Sequence, residues 1–225
     1  MSDFAPRILY HAKNYFFASI SNLLLGIIVI PIYTRLLSPE DYGTYNVFFS
    51  YVGILSIILS LNIHTSIGRY WFENNDDFKK FSGTCFTLIT IIIIFSSVVF
   101  QLFKTNISSL MHIPVTLIIW FIPFILIELT YSTFRQIFEP QKASSLIAKV
   151  SIYKAYGSFI LSILFIYLYN NNKYMGVITG YSISGILLSI FLFYKLKDFF
   201  QITFDRKYLK YIFSYSIPYI PYSLS

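Results

Sequence analysis

Charged residues are missing from several long stretches of this 225-residue sequence, and no other feature limits its possible folds as strongly. A helix needs roughly 20 consecutive apolar residues to cross the hydrocarbon core of a bilayer. Stretches of about that length without Asp, Glu, Lys or Arg lie at 14–34, 42–68, 81–103, 105–127, 155–172 and 174–194. Their number and length predict a chain that crosses a membrane several times.

The overall composition also favours a membrane protein. Only 12% of the residues are charged, whereas about 25% of the residues of a soluble domain are charged. A soluble fold with this composition would expose large apolar patches to water. The formal net charge of +7 would suggest a nucleic acid partner in a soluble protein. Here the basic residues lie between apolar runs, so we expect them to set membrane topology and we expect no nucleic acid partner.

Trimming the polar ends of these runs predicts an all-α membrane protein with six transmembrane helices plus a truncated seventh. The six lie near 14–33, 45–67, 82–103, 114–134, 149–169 and 175–194. The seventh begins near Tyr211, and the 15 residues from there to Ser225 are too few to span. Before it, segment 195–210 is predicted to be either an amphipathic helix on the inner leaflet or a plain loop.

The basic residues alternate between the two sides of this arrangement. With the N-terminus in the cytoplasm, 14 of the 17 basic residues fall on the cytoplasmic side, and only Arg35, Lys104 and Lys173 fall outside. This is the bias expected of a multi-pass protein. A wrong helix count would scramble the alternation, so the bias supports both the count and the orientation.

Residues for catalysis or metal binding do not form a recognisable set. Cys85 is the single cysteine, which excludes an intrachain disulfide. His11, His64 and His112 lack the spacing of metal ligands, and no nucleophile–base set or carboxylate pair is present. We therefore expect no enzyme activity, no metal and no cofactor.

Small residues recur at four-residue spacing in the last two predicted helices. Gly176, Gly180 and Ser184 form one stripe of the sixth helix, and Gly157, Ser158 and Ser162 lie in the fifth, where the two serines have the same spacing. Small side chains let helices approach closely in a bilayer. The pattern predicts close packing or, alternatively, a surface on which helices slide during transport.

A few polar residues within the predicted spans are candidates for a cavity. Glu128 lies inside the membrane if its helix covers 115–134, where a carboxylate is costly and suggests function, but at the headgroups if the helix covers 111–127. Pro123 is expected to kink this helix. Lys154 either reaches the inner surface with its long side chain or binds an anion.

Three more candidates lie in the first two predicted helices. Arg69 and His64 belong to a polar cluster at the inner end of the second helix, which is either interfacial or part of a binding site. Asn22 lies among small residues of the first helix.

The segment after the first helix has a distinctive order of residues. It reads Pro-Ile-Tyr-Thr-Arg-Leu-Leu-Ser-Pro-Glu-Asp-Tyr-Gly-Thr-Tyr-Asn over 31–46. Ser38 is a suitable N-cap, Pro39 suits the first helical position, and Glu40 and Asp41 lie near the positive end of the helix dipole. The segment therefore predicts the start of a new helix.

Segment 31–46 resembles the signature that follows the first helix of polysaccharide flippases. These are the O-antigen and capsule exporters of the multidrug/oligosaccharidyl-lipid/polysaccharide (MOP) superfamily. Further similar segments are Ser-Ile-Gly-Arg-Tyr at 66–70, with Glu73, and Tyr-Ser-Ile-Pro-Tyr-Ile-Pro at 215–221. The resemblance covers the whole chain, most strongly before residue 80 and by topology alone between 80 and 205.

The resemblance implies two six-helix lobes, as in MATE-like transporters, around a central cavity that turns over an undecaprenyl-diphosphate-linked oligosaccharide by alternating access. Basic cavity residues would hold the diphosphate, and a cation gradient would drive the cycle. Arg35 and Arg69 match motif positions, whereas Lys154 and Glu128 are candidates from physical reasoning alone. The resemblance also implies the bacterial inner membrane as location, membrane lipids as surroundings and a polysaccharide polymerase as a candidate partner.

On this basis, 1–198 would be the N-terminal lobe, and 199–225 the connecting segment and the start of a seventh helix, with the second lobe absent. Two other functions stay open. One is an antiporter for drugs or small cations, for which Glu128 is the only acidic candidate. The other is a non-transporting membrane scaffold, which would explain the half length.

Overall fold

The computed structural model describes residues 4–73 and 77–224, and its regular structure there is helical throughout. The helices are α1 (Phe4–Leu36), α2 (Pro39–Ser60), α3 (Ile63–Glu73), α4 (Phe78–Leu102), α5 (Lys104–Met111), α6 (Val115–Ile118), α7 (Phe121–Phe138), α8 (Ser144–Leu168), α9 (Tyr174–Leu196) and α10 (Leu209–Leu224), with short 3-10 turns at Lys197–Phe199 and Arg206–Tyr208. Six segments of the described chain are long and apolar enough to cross a bilayer: Leu9–Leu36, Pro39–Ser60, Phe78–Leu102, Val115–Phe138, Ser144–Leu168 and Tyr174–Phe199. The predicted fold class and the six spans are confirmed.

The start of α2 follows the predicted capping pattern. α2 begins at Pro39, and the Ser38 hydroxyl accepts a hydrogen bond from the Asp41 N–H at 3.1 Å. The same hydroxyl donates to the Asp41 carboxylate at 3.0 Å. One serine thus satisfies a free amide of the first turn and fixes an acidic side chain near the positive end of the helix.

The second predicted helix, 45–67, is broken rather than continuous. Leu61 and Asn62 separate α2 from α3 and adopt left-handed backbone conformations with φ of 49° and 52°. Polar groups bridge the break: Ser60 Oγ accepts from the Asn62 N–H at 3.2 Å, and Thr65 Oγ1 donates to the Asn62 carbonyl at 2.8 Å. The prediction of one continuous helix is wrong. Side-chain hydroxyls here bond to backbone groups that a continuous helix would use, and the hydrophobicity of the segment gives no sign of this.

The fourth predicted helix, 114–134, is interrupted near its start and extends further than expected. Pro123 has no N–H, and its ring would clash with the carbonyl four residues back, which belongs to Ile119. The helix breaks at that residue, and α7 then continues to Phe138. Glu128 therefore lies about 15 Å from the end of α7, at 1.5 Å per residue. The alternative helix, which would end before Glu128, is wrong.

Segment 200–205, which we call the connector, is extended and lies along the first turns of α4. The Gln201 N–H donates to an α4 carbonyl at 3.0 Å, and the Ser82 hydroxyl donates to the Phe199 carbonyl at 2.6 Å. A Cβ on Gly83 would collide with the Gln201 carbonyl, so the close approach requires glycine there. The amphipathic-helix alternative for this region is wrong, since its polar groups bond to α4 instead.

The described chain forms two compact units. The first comprises 4–46 and 141–188, and the second comprises 47–140 and 189–224. Within the first unit, polar side chains join α1 to α8: His11 Nδ1 lies 2.7 Å from Ser144 Oγ. The predicted division of the chain at residue 198 stays a prediction.

Small residues bring α8 and α9 together in the first unit. A Cβ on Gly176 would lie 2.7 Å from the Cα of Ile166, and one on Gly180 would collide with the backbone at Ser162. The Ser162 hydroxyl donates to the Val177 carbonyl at 3.1 Å. The predicted close packing is confirmed, because these backbones could not approach with larger side chains.

Aromatic side chains form the core of the second unit. Phe48, Phe121 and Phe124 are almost completely buried, and the Phe48 ring lies 4.9 Å from that of Phe121 and 5.2 Å from that of Phe124. The Tyr70 ring stacks on Phe81 at 3.8 Å. These contacts fix α7 against α2, and α3 against α4, so they set the position of the polar side chains described next.

Candidate functional site

A polar cleft of about 470 Å³ opens in the second unit between the end of α2, the α2–α3 break, α7 and α10. Its volume falls within the roughly 300–1,000 Å³ typical of small-molecule sites. Polar and charged side chains dominate the lining, which is unusual in so apolar a chain. The lining residues are Ser56, Ile57, Asn62, His64, Thr65, Glu128, Leu129, Tyr131, Ser132, Arg135, Gln136, Glu139, Tyr219 and Ser223.

The α7 side of the cleft is a stripe at helical spacing. From Glu128 the stripe continues three, four, seven, eight and eleven residues along the chain, through Tyr131, Ser132, Arg135, Gln136 and Glu139. Positions with these offsets lie on one face of an α-helix. The stripe thus turns six polar side chains towards one space.

Close packing brings α3 alongside this stripe. A Cβ on Gly68 would collide with the side-chain amide oxygen of Gln136 and would lie 3.3 Å from its backbone carbonyl. A larger residue than glycine would displace the Gln136 side chain and crowd its backbone carbonyl. Gly68 therefore helps to place His64 and Glu128 on the wall of one cleft.

The α2–α3 break supplies the opposite wall. Asn62 Nδ2 donates to the Ser223 hydroxyl of α10 at 2.9 Å. The Nδ1 atom of His64 is buried and has no hydrogen-bond partner among the described residues. A buried polar atom without a partner is uncommon and needs an explanation.

Negative groups outnumber positive ones along the cleft. Glu128 and Glu139 supply two carboxylates, and Arg135 supplies the guanidinium. Arg135 Nε donates at 2.7 Å to Glu139, the residue that directly follows α7, so this positive charge is matched by a neighbour four residues along the chain. No three His, Cys, Asp or Glu side chains converge as metal ligands in the part of the chain that the structure describes.

Of the residues predicted for the site, the structure brings together His64 and Glu128. Arg69 does not line the cleft: its side chain is exposed, and Nε donates to Glu73 at 2.6 Å. Its guanidinium also lies 4.8 Å from the Tyr215 ring centre. The Tyr211 hydroxyl and the Arg69 guanidinium hold the pKa of Glu73 below its usual value, since both bond to the carboxylate.

The other three predicted residues lie in the first unit. Asn22 Nδ2 donates to Ser151 Oγ at 2.8 Å, while its buried Oδ1 has no partner among the described residues. Arg35 is exposed in the last turn of α1, and Lys154 is half-buried on α8. Their roles stay predictions.

An apolar crevice of about 310 Å³ lies against another face of α7. Leu126, Leu129, Thr130 and Thr133 form the α7 side. Its other walls come from α3, α4, the end of α9 and the connector: Ile67, Phe86, Ile89, Thr90, Ile93, Ile94, Phe193, Leu196 and Phe200. Leu129 lines both spaces and separates them.

Cleft residues missed from the sequence include Ser56, Tyr131, Ser132, Arg135, Gln136, Glu139, Tyr219 and Ser223. A signal for the α7 members was present, because polar residues recur with helical period from Glu128. The predicted helix ended at residue 134, so Arg135 and the residues after it were assigned to a loop and the periodicity was not recognised.

Comparisons with solved structures show the fold. The chain resembles MATE in the straight conformation, with a TM-score of 0.71, 18% identity and 97% of this chain covered, but only 53% of that chain. An outward-facing multidrug resistance MATE family transporter of the MOP superfamily matches with a TM-score of 0.69, 17% identity and coverage of 97% and 52%. A MOP superfamily transporter from Pyrococcus furiosus matches with a TM-score of 0.67 and 18% identity, and the match covers 95% of this chain and 53% of that chain. The chain thus spans about half the length of these transporters and has the fold of their N-terminal lobe.

Sequence comparison identifies the family. Curated protein sequences give no significant match. The family model described as "Polysaccharide biosynthesis protein" matches residues 12–225, which is nearly the whole chain. With six spans and this fold, the protein is a multi-pass membrane protein that belongs to the polysaccharide biosynthesis protein family.

Proposed function

We propose that this chain forms the N-terminal lobe of a flippase for undecaprenyl-diphosphate-linked polysaccharide repeat units. The observation that carries the proposal is the polar cleft, which is built into an apolar membrane unit of a polysaccharide biosynthesis family member. Polar groups are expensive inside a membrane and usually face a substrate pathway. A sugar chain that crosses the bilayer needs such a surface, because its hydroxyl groups would otherwise lose their hydrogen bonds.

The break between the second span and α3 supports the proposal. Interrupted helices in transporters occur where backbone and side chains line a cavity. Here the break at Leu61 and Asn62 places two polar side chains, Asn62 and His64, on the cleft wall. We expect a second body to complete the pathway, because alternating access requires two bodies that move against each other.

Binding to lipid nanodiscs that contain the chain tests the proposal. Undecaprenyl diphosphate carrying N-acetylglucosamine should compete for binding with fluorescent undecaprenyl diphosphate, and ethidium should not. Binding of ethidium alone would favour the alternative, a drug or small-cation antiporter. That alternative draws its support from the carboxylates of Glu128 and Glu139 in the cleft, since acidic groups attract a cation.

Candidate partners of the diphosphate are Arg35, Arg69 and Lys154. Alanine at the residue that holds the diphosphate should weaken lipid binding, and Arg69→Lys should keep part of it, since lysine retains the charge but not the planar fork. Glu73→Gln is the matched control for Arg69, because it removes the ion-pair partner and leaves the guanidinium. If all three alanine variants bind the lipid as tightly as the parent chain does, these residues do not belong to the proposed site.

We further propose that the protein lies in the bacterial inner membrane with its N-terminus in the cytoplasm, beside a polysaccharide polymerase. The distribution of basic residues supports this orientation. Cysteines at the exposed positions Asn171 and Gln201 report it, and buried Cys85 should not react. A membrane-impermeant reagent added outside should label Asn171→Cys and leave Gln201→Cys unlabelled. The reverse labelling would contradict the topology.

A further inference from the structure

We infer that a second pocket of the second unit binds the phosphate headgroup of an anionic glycerophospholipid. The pocket has a volume of about 410 Å³ and opens between the end of α3, the start of α4 and the segment that follows α9. Its lining residues are Trp71, Asp77, Phe78, Lys79, Lys80, Phe199 and Gln201. It shares no lining residue with the polar cleft, and the inference does not depend on the proposed function.

The ends of two membrane spans fix the depth of this pocket. The span Phe78–Leu102 begins at Phe78, the span Tyr174–Phe199 ends at Phe199, and both end residues line the pocket. A span ends where the hydrocarbon core gives way to the headgroups. Trp71 also lines the pocket, and tryptophan is enriched at that level of a membrane. The pocket therefore lies at the depth of the lipid phosphate groups.

Contacts between protein groups hold the walls of the pocket together. The Gln201 N–H donates to the Lys79 carbonyl at 3.0 Å, which fixes the connector beside the first turn of α4. The Trp71 ring meets the Phe78 ring edge-on, with 4.8 Å between the ring centres. The apolar rings and the lysine are thus placed around one space by the fold itself.

Lys79 gives the pocket a positive charge that no described side chain matches. Asp77 is the carboxylate of the lining, and it accepts hydrogen bonds from Lys80 Nζ at 3.4 Å and from Lys207 Nζ at 3.2 Å. Lys79 is exposed and takes part in none of the ion pairs that the described residues form. Its ammonium group is therefore available for a phosphate oxygen, with which it would form a charge-assisted hydrogen bond.

The other lining groups favour a lipid over a soluble phosphate. The rings of Trp71 and Phe199 offer apolar surface to the start of an acyl chain, and the Gln201 amide offers hydrogen bonds to the headgroup. Basic pockets beside membrane helices bind anionic headgroups, and one lysine near an anionic surface strengthens binding about fivefold. A soluble phosphate would leave the aromatic wall without a partner.

Quenching of Trp71 fluorescence tests the inference on the full chain in nanodiscs. Trp120→Phe removes the other tryptophan of the chain, so that Trp71 is the reporter. Phosphatidylcholine nanodiscs receive a small, equal fraction of phosphatidylglycerol or phosphatidylcholine with bromine on the acyl chains, because bromine quenches tryptophan at short range. We expect brominated phosphatidylglycerol to associate about fivefold more strongly than brominated phosphatidylcholine. Salt at 0.5 M should reduce this preference.

Substitutions at Lys79 show whether its charge causes the preference. Lys79→Gln should nearly abolish it, and Lys79→Arg should retain it, since arginine keeps the positive charge. Lys104→Gln is the matched control, because Lys104 is an exposed lysine at the start of α5 that does not line the pocket. It should leave the preference unchanged. Equal quenching by both lipids in the parent chain, or equal losses in Lys79→Gln and Lys104→Gln, would overturn the inference.

Undecaprenyl diphosphate distinguishes the two lipids that could supply the phosphate. Added to nanodiscs at the same fraction as brominated phosphatidylglycerol, it should leave the quenching of Trp71 unchanged. Recovery of the fluorescence would assign the pocket to the diphosphate of a polyprenyl lipid and would overturn the inference. The proposed function has its own binding test, so the two can fail separately.

Discussion

Two faces of α7 have opposite characters although they belong to the same helix. One face carries Glu128, Tyr131 and Arg135 into the polar cleft, and the other carries Leu126 and Thr130 into the apolar crevice. A helix that is polar on one side and apolar on the other is ordinary at a protein surface. In a membrane-spanning segment it means that one side faces a cavity, because hydrocarbon offers polar groups no partners.

The polar cleft and the apolar crevice are also formed by different parts of the structure. Side chains of α7 and of the α2–α3 break supply the cleft, whereas the crevice depends on the connector, whose Phe200 forms part of its wall. Charge and hydrogen bonding should therefore control the cleft, and packing should control the crevice. Substitutions on the two faces of α7 should therefore change the free energy of unfolding by different amounts.

The largest effect is expected from lysine at adjacent positions on opposite faces. Thr133 is 7% exposed and lines the crevice, while Ser132 lines the cleft. Thr133→Lys should lower the free energy of unfolding by about 3 kcal/mol, since it places a charge in an apolar membrane environment. Ser132→Lys should change it by less than about 1 kcal/mol, because carboxylates are nearby. Thermal unfolding in detergent measures both, and equal destabilisation would mean that the two faces are not different.

A smaller effect is expected where the connector meets α4. Gly83→Ala should lower the free energy of unfolding by about 1–3 kcal/mol, because the new methyl group forces the Gln201 backbone away. Gly53→Ala in α2 is the control: nothing lies within 4 Å of its Cβ position, so it should be neutral or stabilising by up to about 1 kcal/mol. A neutral Gly83→Ala would show that the crevice does not depend on a tightly held connector.

The smallest effect is expected for the ion pair at the edge of the cleft. Arg135 and Glu139 are separated by one helical turn, with 49% and 35% of their side chains exposed. Glu139→Gln should lower the free energy of unfolding by about 0.2–1 kcal/mol, because solvent screens such pairs. The same thermal measurement checks it, and 0.5 M salt should reduce the difference. A loss as large as that of Thr133→Lys would mean that the cleft edge is sealed from water.

Much of the architecture could be predicted from local sequence because its causes are local. The spans follow from apolar length, the start of α2 from Ser38 and Pro39, and the α8–α9 contact from glycines at four-residue spacing. The break in the fourth span follows from Pro123, whose effect is fixed by its ring. The break at Leu61 and Asn62 could not be predicted this way, since neither is a glycine and the left-handed conformation is held by neighbouring hydroxyls.

The candidate site could likewise be predicted only in part from the sequence. The sequence by itself determined that Glu128 is an unusual carboxylate in an apolar run and that His64 lies near a helix end. Only the tertiary structure decided that the two line one cleft and that Arg69 lies outside it, paired with Glu73. The physical reason is that convergence of distant side chains depends on how helices rotate and how closely they pack. Here the rotation and the close packing of the helices depend on the two-residue break and on the contact between Gly68 and Gln136. Neither feature can be predicted from the periodicity of apolar residues.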